Sequence, residues 1–223
     1  MTELGGLSSP QPQLDALLPP EMARRPEEVG VPHWTMDRTA TFTLAVLAPT
    51  FIWLGCVFAT TALAGAGSAP WGPVRVLAGM VFSVGLVLVV VGGAELFTGN
   101  NLIVMAWASG RVSTAGGLRN WLTVYLGKGA GESGTAGVVY RAGVHHFGAD
   151  AFGATALAIA HAKVQLGFVQ AVALGTLCNV LVCLAVWLTL SARTTADRIL
   201  AVVPPVSAFV AAGFEHSVAN MYF

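Results

Sequence analysis

The sequence predicts an all-α membrane protein, an inverted-repeat helix bundle with one broken helix in each half. Three observations predict it. The 223 residues are 55% hydrophobic and 10% charged, with a mean hydropathy of +0.72, whereas a soluble domain carries roughly 25% charged residues. The apolar stretch 76–93, VLAGMVFSVGLVLVVVGG, is interrupted by Ala94-Glu95-Leu96-Phe97-Thr98-Gly99-Asn100-Asn101 and then resumes as LIVMAWA. A second polar break, Gly213-Phe214-Glu215-His216-Ser217-Val218-Ala219-Asn220, lies near the end. Polar groups at this depth cost several kcal/mol if they face lipid. They are tolerated where they are buried in protein or line an aqueous path. Two such breaks in corresponding halves point to a transport site.

Residues 1–38 read as a polar, Pro-rich arm with a short helix near 20–28 and no apolar stretch of the signal-peptide kind. Residues 39–223 read as the transmembrane domain. A span needs about 20 mostly apolar residues. Five segments qualify: about 40–64, 74–108 with its break, 115–142, 164–192 and 198–223. Between the third and fourth, residues 143–163 read as the longest loop. The fifth span breaks at 213–220 with three residues left, so the reading takes its continuation and a sixth helix to be missing.

The third span is weakly apolar. It contains Lys128, Glu132 and Arg141. Lys128 and Glu132 are four apart and share a helix face. Gly127, Gly131, Gly134 and Gly137, with Ala130 and Ser133, give the small-residue spacing of close helix contacts. Two readings stand: a charged helix facing a pore or subunit interface, or a helix buried in the bundle with protein partners for its ions.

Basic residues set the orientation. With the N-terminus inside, Arg24, Arg25, Arg38, Arg111, Arg119, Arg193 and Arg198 are cytoplasmic. Arg75, Arg141 and Lys163 are outside, and Lys128 lies within a span. Seven against three is a positive-inside bias, which predicts a multi-pass protein of the cytoplasmic (inner) membrane.

Other classes find little support. Net charge is zero, so no nucleic-acid footprint is visible. Cys56, Cys178 and Cys183 sit in apolar runs and read as small core residues. His145, His146, Asp150 and His161 match no strong metal motif. No nucleophile–base pair or phosphate loop argues for an enzyme, and no cofactor is called for.

Several motifs carry a resemblance. They are AELFTGNN with Ser109-Gly110-Arg111 and Asn120-Trp121, then Leu174-Gly175-Thr176-Leu177-Cys178-Asn179 with Val182-Cys183-Leu184-Ala185-Val186-Trp187, then Gly213-Phe214-Glu215-His216-Ser217-Val218-Ala219-Asn220-Met221. With the stretch Leu17–Gly30, they make the chain resemble the formate/nitrite transporter family from about Asp15 to Phe223. The resemblance implies an aquaporin-like protomer with its own pore, assembled as a homopentamer in lipid. It implies passage of small monovalent anions, formate or nitrite, with protons. A hydrosulfide or lactate channel of the same family, or a non-conducting structural fragment, is the alternative. By motif, Phe82, Leu86 and Phe209 form an outer apolar constriction, and Leu96, Phe97 and Val182 an inner one. Thr98, Asn179 and His216 are the polar groups between, Glu215 supports the break, and Lys163 lends positive potential. The chain departs from the pattern at Ala48-Pro49-Thr50, where glycine is usual, and at Lys128, Glu132 and Arg141, where the third helix is usually apolar.

The residue chemistry suits that role. Imidazole titrates near neutral pH, so His216 can give a proton to an arriving anion. An anion between apolar constrictions must be hydrogen-bonded or neutralised, and Thr98 and Asn179 supply hydrogen-bonding groups. Taken singly, each has a plainer role: His216 capping the broken helix, Thr98 bonding its own turn, Asn179 stitching two spans.

Overall fold

The computed structural model describes residues 17, 20–25, 36–94, 98 and 100–223. Residues 20–25 are helical. Seven longer helical elements follow: α1 (Arg38–Leu63), α2 (Trp71–Gly92), α3 (Ile103–Ala108), α4 (Thr114–Arg141), α5 (Ala151–Val164), α6 (Phe168–Ser191) and α7 (Thr195–Ala212). Short 3-10 turns occupy Asn100–Leu102, Val144–His146 and Ala219–Tyr222.

Several boundaries have a local cause. Asp37 opens α1 by accepting the N–H groups of Thr39 (2.9 Å) and Ala40 (3.3 Å), two donors that the helix leaves orphaned. Those bonds hold the Asp37 carboxyl below its ordinary range. Ser113 caps α4 through Gly116 N–H. Thr194 and Asp197 form a reciprocal capping box at the start of α7. Gly93 and Gly213 end α2 and α7 in the left-handed conformation, φ 71° and 78°, which glycine adopts without steric penalty. Both breaks thus begin at a glycine.

Among the described residues, four helices are long and apolar enough to cross a membrane: α1, α2, residues Phe168–Thr189 of α6, and α7. The third expected span, α4, is a single helix of 28 residues, roughly 42 Å at 1.5 Å per residue, and is the least apolar of the long helices. Residues 143–163 are not a loop. They contain α5, which begins at Ala151 and packs on α1 and on the turn 144–146. Its alanine-rich sequence is helix-forming, but 14 residues of moderate apolarity carry no spanning signal.

Packing runs from α4 to α1 to α2 to α7 to α6. Small residues set the crossings. A Cβ at Gly55 would lie 2.5 Å from the Phe82 carbonyl oxygen, and one at Gly79 would lie 2.5 Å from that of Ser207. Gly127 and Gly131 pack on Ala45, Val46 and Pro49 of α1, so the spacing read from the sequence does bring α4 close. The core holds Ile52, Cys56, Phe82, Leu86, Val182 and Phe209.

Candidate pore centre between two broken helices

The two breaks meet. Thr98, from the first, lies with its Oγ1 3.5 Å from His216 Nε2 in the second, and both residues are buried. The backbone fixes the imidazole's tautomer. Ala219 N–H donates to His216 Nδ1 at 3.1 Å, so Nδ1 must keep its lone pair. The proton of the neutral ring therefore sits on Nε2 and points at Thr98. On one face the ring stacks against Phe209, centroids 5.6 Å apart at 25°. Phe209 in turn meets Phe82 edge-to-face at 5.7 Å.

Beside His216, Glu215 is tied down by two partners. Lys163 Nζ, from the last turn of α5, donates to Glu215 Oε2 at 2.5 Å. Asn220 Nδ2 donates to the same oxygen at 2.8 Å. The Glu215 N–H reaches the Leu174 carbonyl at 3.4 Å. Acid, lysine and amide together bridge the second break to α5 and to α6. With both side chains mostly withdrawn from solvent, this ion pair is not of the weak, fully exposed kind.

Asn179, on α6, donates through Nδ2 to Cys183 Sγ at 3.7 Å, and Cys183 Sγ–H donates to the Thr98 carbonyl at 3.8 Å. Asn179 Oδ1 is buried with no hydrogen-bond partner. Such an atom is costly unless something else approaches it.

Two cavities adjoin this centre. One, of about 700 Å³, is lined by Thr98, Asn179, Cys183, Trp187, Glu215 and His216 among others. The second, of about 490 Å³, is lined by Cys56, Arg75, Phe82, Lys163, Phe209 and also Glu215 and His216. Glu215 and His216 are therefore common to both. The second cavity carries two cations, Lys163 and Arg75. Arg75 donates to the α7 carbonyls of Val210 (2.6 Å) and Ala211 (3.5 Å), a cation at the negative end of a helix dipole.

The structure thus gathers Thr98, Asn179, His216, Glu215 and Lys163 around one point. Phe82 and Phe209 stand beside it, on the second cavity. Leu86 and Val182 are fully buried core residues that line neither cavity. Leu96 and Phe97, expected at the inner constriction, lie outside the described residues, as does Glu95. Sequence reasoning missed three contributors: Cys183, which joins Asn179 to Thr98, Asn220, which holds Glu215, and Arg75. Cys183 and Asn220 sit inside motifs already singled out. Arg75 gave no signal beyond its charge near a predicted span end.

The family described as Formate/nitrite transporter matches residues 20–223. The chain belongs to the formate/nitrite transporter family. A relative from Escherichia coli (strain K12), "Formate channel FocA", is 43% identical over 208 residues, covering 93% of this chain and 73% of the relative. "Formate channel FocB" from the same organism is 31% identical over 196 residues, covering 88% and 69%. A solved structure described as "Pentameric formate channel with formate bound" superposes with a TM-score of 0.80 at 41% identity, over 83% of this chain and 72% of that one. An "FNT family ion channel" has the same TM-score at 23% identity, over 91% and 81%, and shows the shared fold. The chain is accordingly an integral membrane protein of a transporter family, not an enzyme.

Proposed function

We propose that the chain passes small monovalent anions, formate first and nitrite next, through a pore in each protomer. Thr98, Asn179 and His216 are the polar groups at its centre, and it assembles as a homopentamer in the cytoplasmic membrane with its N-terminus inside. The observation that carries this reading is His216. It is a buried imidazole that lines both cavities, with its Nε2 3.5 Å from the Thr98 hydroxyl on the wall of the first. The relatives named as formate channels, and the neighbour described as pentameric with formate bound, support the choice of ion and assembly.

The geometry suggests how charge is handled. Lys163 and Arg75 give the second cavity positive potential that attracts anions. Phe82 and Phe209 close its inner end with apolar rings, so the ion must shed water there. Nε2–H of His216 and the Thr98 hydroxyl then replace lost hydration. For His216 to carry a second proton, Nδ1 must give up the Ala219 N–H bond. Proton delivery to the anion from Nε2 is therefore tied to a movement of the turn 219–222. Glu215, clamped by Lys163 and Asn220, keeps that turn in register.

The test is uptake of labelled formate into proteoliposomes holding the purified protein, with nitrite and hydrosulfide in parallel. Saturable formate uptake, abolished in His216→Phe with the oligomer intact, is the expected result. Equal uptake by protein-free vesicles would remove the reading.

A further inference from the structure

We propose that Thr60 and Tyr222 are positioning residues: together they tether the turn 219–222 to α1 and so decide which nitrogen of His216 presents a proton to Thr98. The consequence for transport rests on the anion-passage reading above; the tether itself does not. Ala219 N–H reaches His216 Nδ1 at 3.1 Å, so the ring's tautomer depends on where the turn Ala219–Tyr222 lies. One end of that turn is tied to the second break, by Asn220 Nδ2 on Glu215 Oε2 at 2.8 Å. The other end is tied to α1, on which the turn packs. The Tyr222 hydroxyl and Thr60 Oγ1 share a hydrogen bond at 3.2 Å. The Tyr222 ring meets that of Trp53 edge-to-face, centroids 4.4 Å apart at 64°.

The hydroxyl pair is the directional part of this tether. Thr60 is 1% exposed, and a hydroxyl buried that far is costly without a partner. Thr41, Thr43, Thr50 and Thr61 of α1 each satisfy theirs on the carbonyl four residues back, the usual local solution in a helix. Among the described residues Thr60 makes no such bond, and its hydroxyl instead reaches a side chain 162 positions away. Ring contact with Trp53 tolerates sliding, whereas a hydrogen bond falls off steeply with distance and angle. The bond therefore fixes one register of the turn on α1. Thr60, Ala219, Asn220 and His216 all line the second cavity, so tether, turn and imidazole share one wall of the proposed pathway. A turn shifted along α1 carries the Ala219 N–H away from Nδ1. The ring is then free to hold its proton on Nδ1 and to present the Nε2 lone pair to Thr98. An anion arriving there meets a lone pair in place of a donor and is repelled.

The experiment compares the unaltered chain with T60V/Y222F and with a control, T50V/T135V, which removes another hydroxyl pair of α1, 3.1 Å apart on its α4 side. Replacing both partners by apolar groups of like shape leaves no orphaned hydroxyl, so both double variants should keep oligomer size and unfolding midpoint. Each protein is isotope-labelled at its histidine nitrogens and read by NMR in detergent at fixed pH; the His216 signals are those missing from His216→Phe. In the unaltered chain and the control, Nε2 should give the protonated signal and Nδ1 the unprotonated one. In T60V/Y222F the two signals should move toward each other as the proton divides between the nitrogens. Its formate uptake in proteoliposomes should need about two- to tenfold more formate for half-saturation, the equivalent of one hydrogen bond, while the control stays unchanged. Unmoved signals in assembled T60V/Y222F overturn the proposal, and so does an equal shift in the control. Shifted signals with unchanged half-saturation overturn it too, since the choice of nitrogen would not matter to the anion. If T60V/Y222F does not assemble, Tyr222→Phe alone, which keeps the ring on Trp53, is read in the same way, and unmoved signals there overturn the proposal. Absence of formate uptake by the unaltered chain defeats the anion reading instead, and the nitrogen signals still decide the tether.

Discussion

Gly79 offers the sharpest test of the packing that positions the candidate pore centre. It lies on α2 one turn before Phe82, facing Ser207 on α7, two residues before Phe209. A Cβ there would lie 2.5 Å from the Ser207 carbonyl oxygen, 2.9 Å from its Cα and 3.1 Å from its carbonyl carbon. All three atoms are backbone, so no side chain can swing away. Reaching even 3.0 Å from the oxygen requires α2 and α7 to part by at least about 0.5 Å, since 3.0 − 2.5 = 0.5. Overpacking of this kind costs about 1–3 kcal/mol. Gly129 on α4 is the control: a Cβ there meets nothing within 4 Å. Gly129→Ala should therefore gain up to about 1 kcal/mol of helix propensity. The assay is thermal or denaturant unfolding in a fixed detergent. Gly79→Ala should lower the midpoint and Gly129→Ala hold or raise it. The same parting loosens the Phe82–Phe209 edge-to-face contact, so Gly79→Ala should also let formate uptake rise before the protein unfolds. Equal stability of the two variants would refute the claim that α2 and α7 touch backbone to backbone.

Three further outcomes follow from particular contacts. Arg75→Gln removes the guanidinium from the end of α7. With the group about half buried, it should cost about 1–2 kcal/mol and weaken formate uptake by lowering the second cavity's potential. Asp37 titrates below its ordinary value in the folded chain, so its capping contribution is fully present above about pH 4. That contribution is lost as pH falls through the lower folded value. Protection of the Thr39 and Ala40 amides from hydrogen exchange, relative to the unstructured rate at each pH, should fall on acidification in the unaltered chain, whereas Asp37→Asn should show no such acid-dependent step. His216→Asn keeps a hydrogen-bonding group but cannot titrate. It should flatten any dependence of formate uptake on pH that His216 carries, while the oligomer still forms. An unaltered profile with intact uptake would remove His216 from proton handling.

The helices and both breaks were legible because lipid imposes a coarse rule: an apolar run of about 20 residues spans, and a polar interruption must be sheltered. The glycine spacing in α4 was legible for a similar reason. A helix lays residues four apart on one face, so Gly127 and Gly131 had to make one stripe. By contrast, the sequence over α5 reads as loop. Its flanks, Gly143 to Asp150, carry histidines, glycines and two non-glycine residues at positive φ, Ala149 and Asp150, so turn chemistry masked the helix that follows. Leu86 and Val182 carry no local mark that separates a pore wall from core. In the structure, both belong to the same buried cluster as Phe82 and Phe209.

The candidate centre divides along the same line. Everything that fixes His216 locally is within a few residues of it: the left-handed Gly213, the Ala219 N–H three positions on, and Asn220 on Glu215. Those relations are written in the order of the residues, and a close reading of the motif could recover them. What gives the imidazole a partner is not local. Thr98 is 118 positions away, and Lys163 reaches Glu215 across 52. These contacts exist because α2 and α7 cross at Gly79 and Ser207 and because α5 folds back on α1. A change at the crossing should therefore act on the His216–Thr98 pair as surely as a change in the pair itself. A change in the motif's own turn should free the ring even with the crossing intact. Comparing Gly79→Ala with Asn220→Ala by the pH dependence of uptake separates the two, since only the second leaves the helix spacing alone.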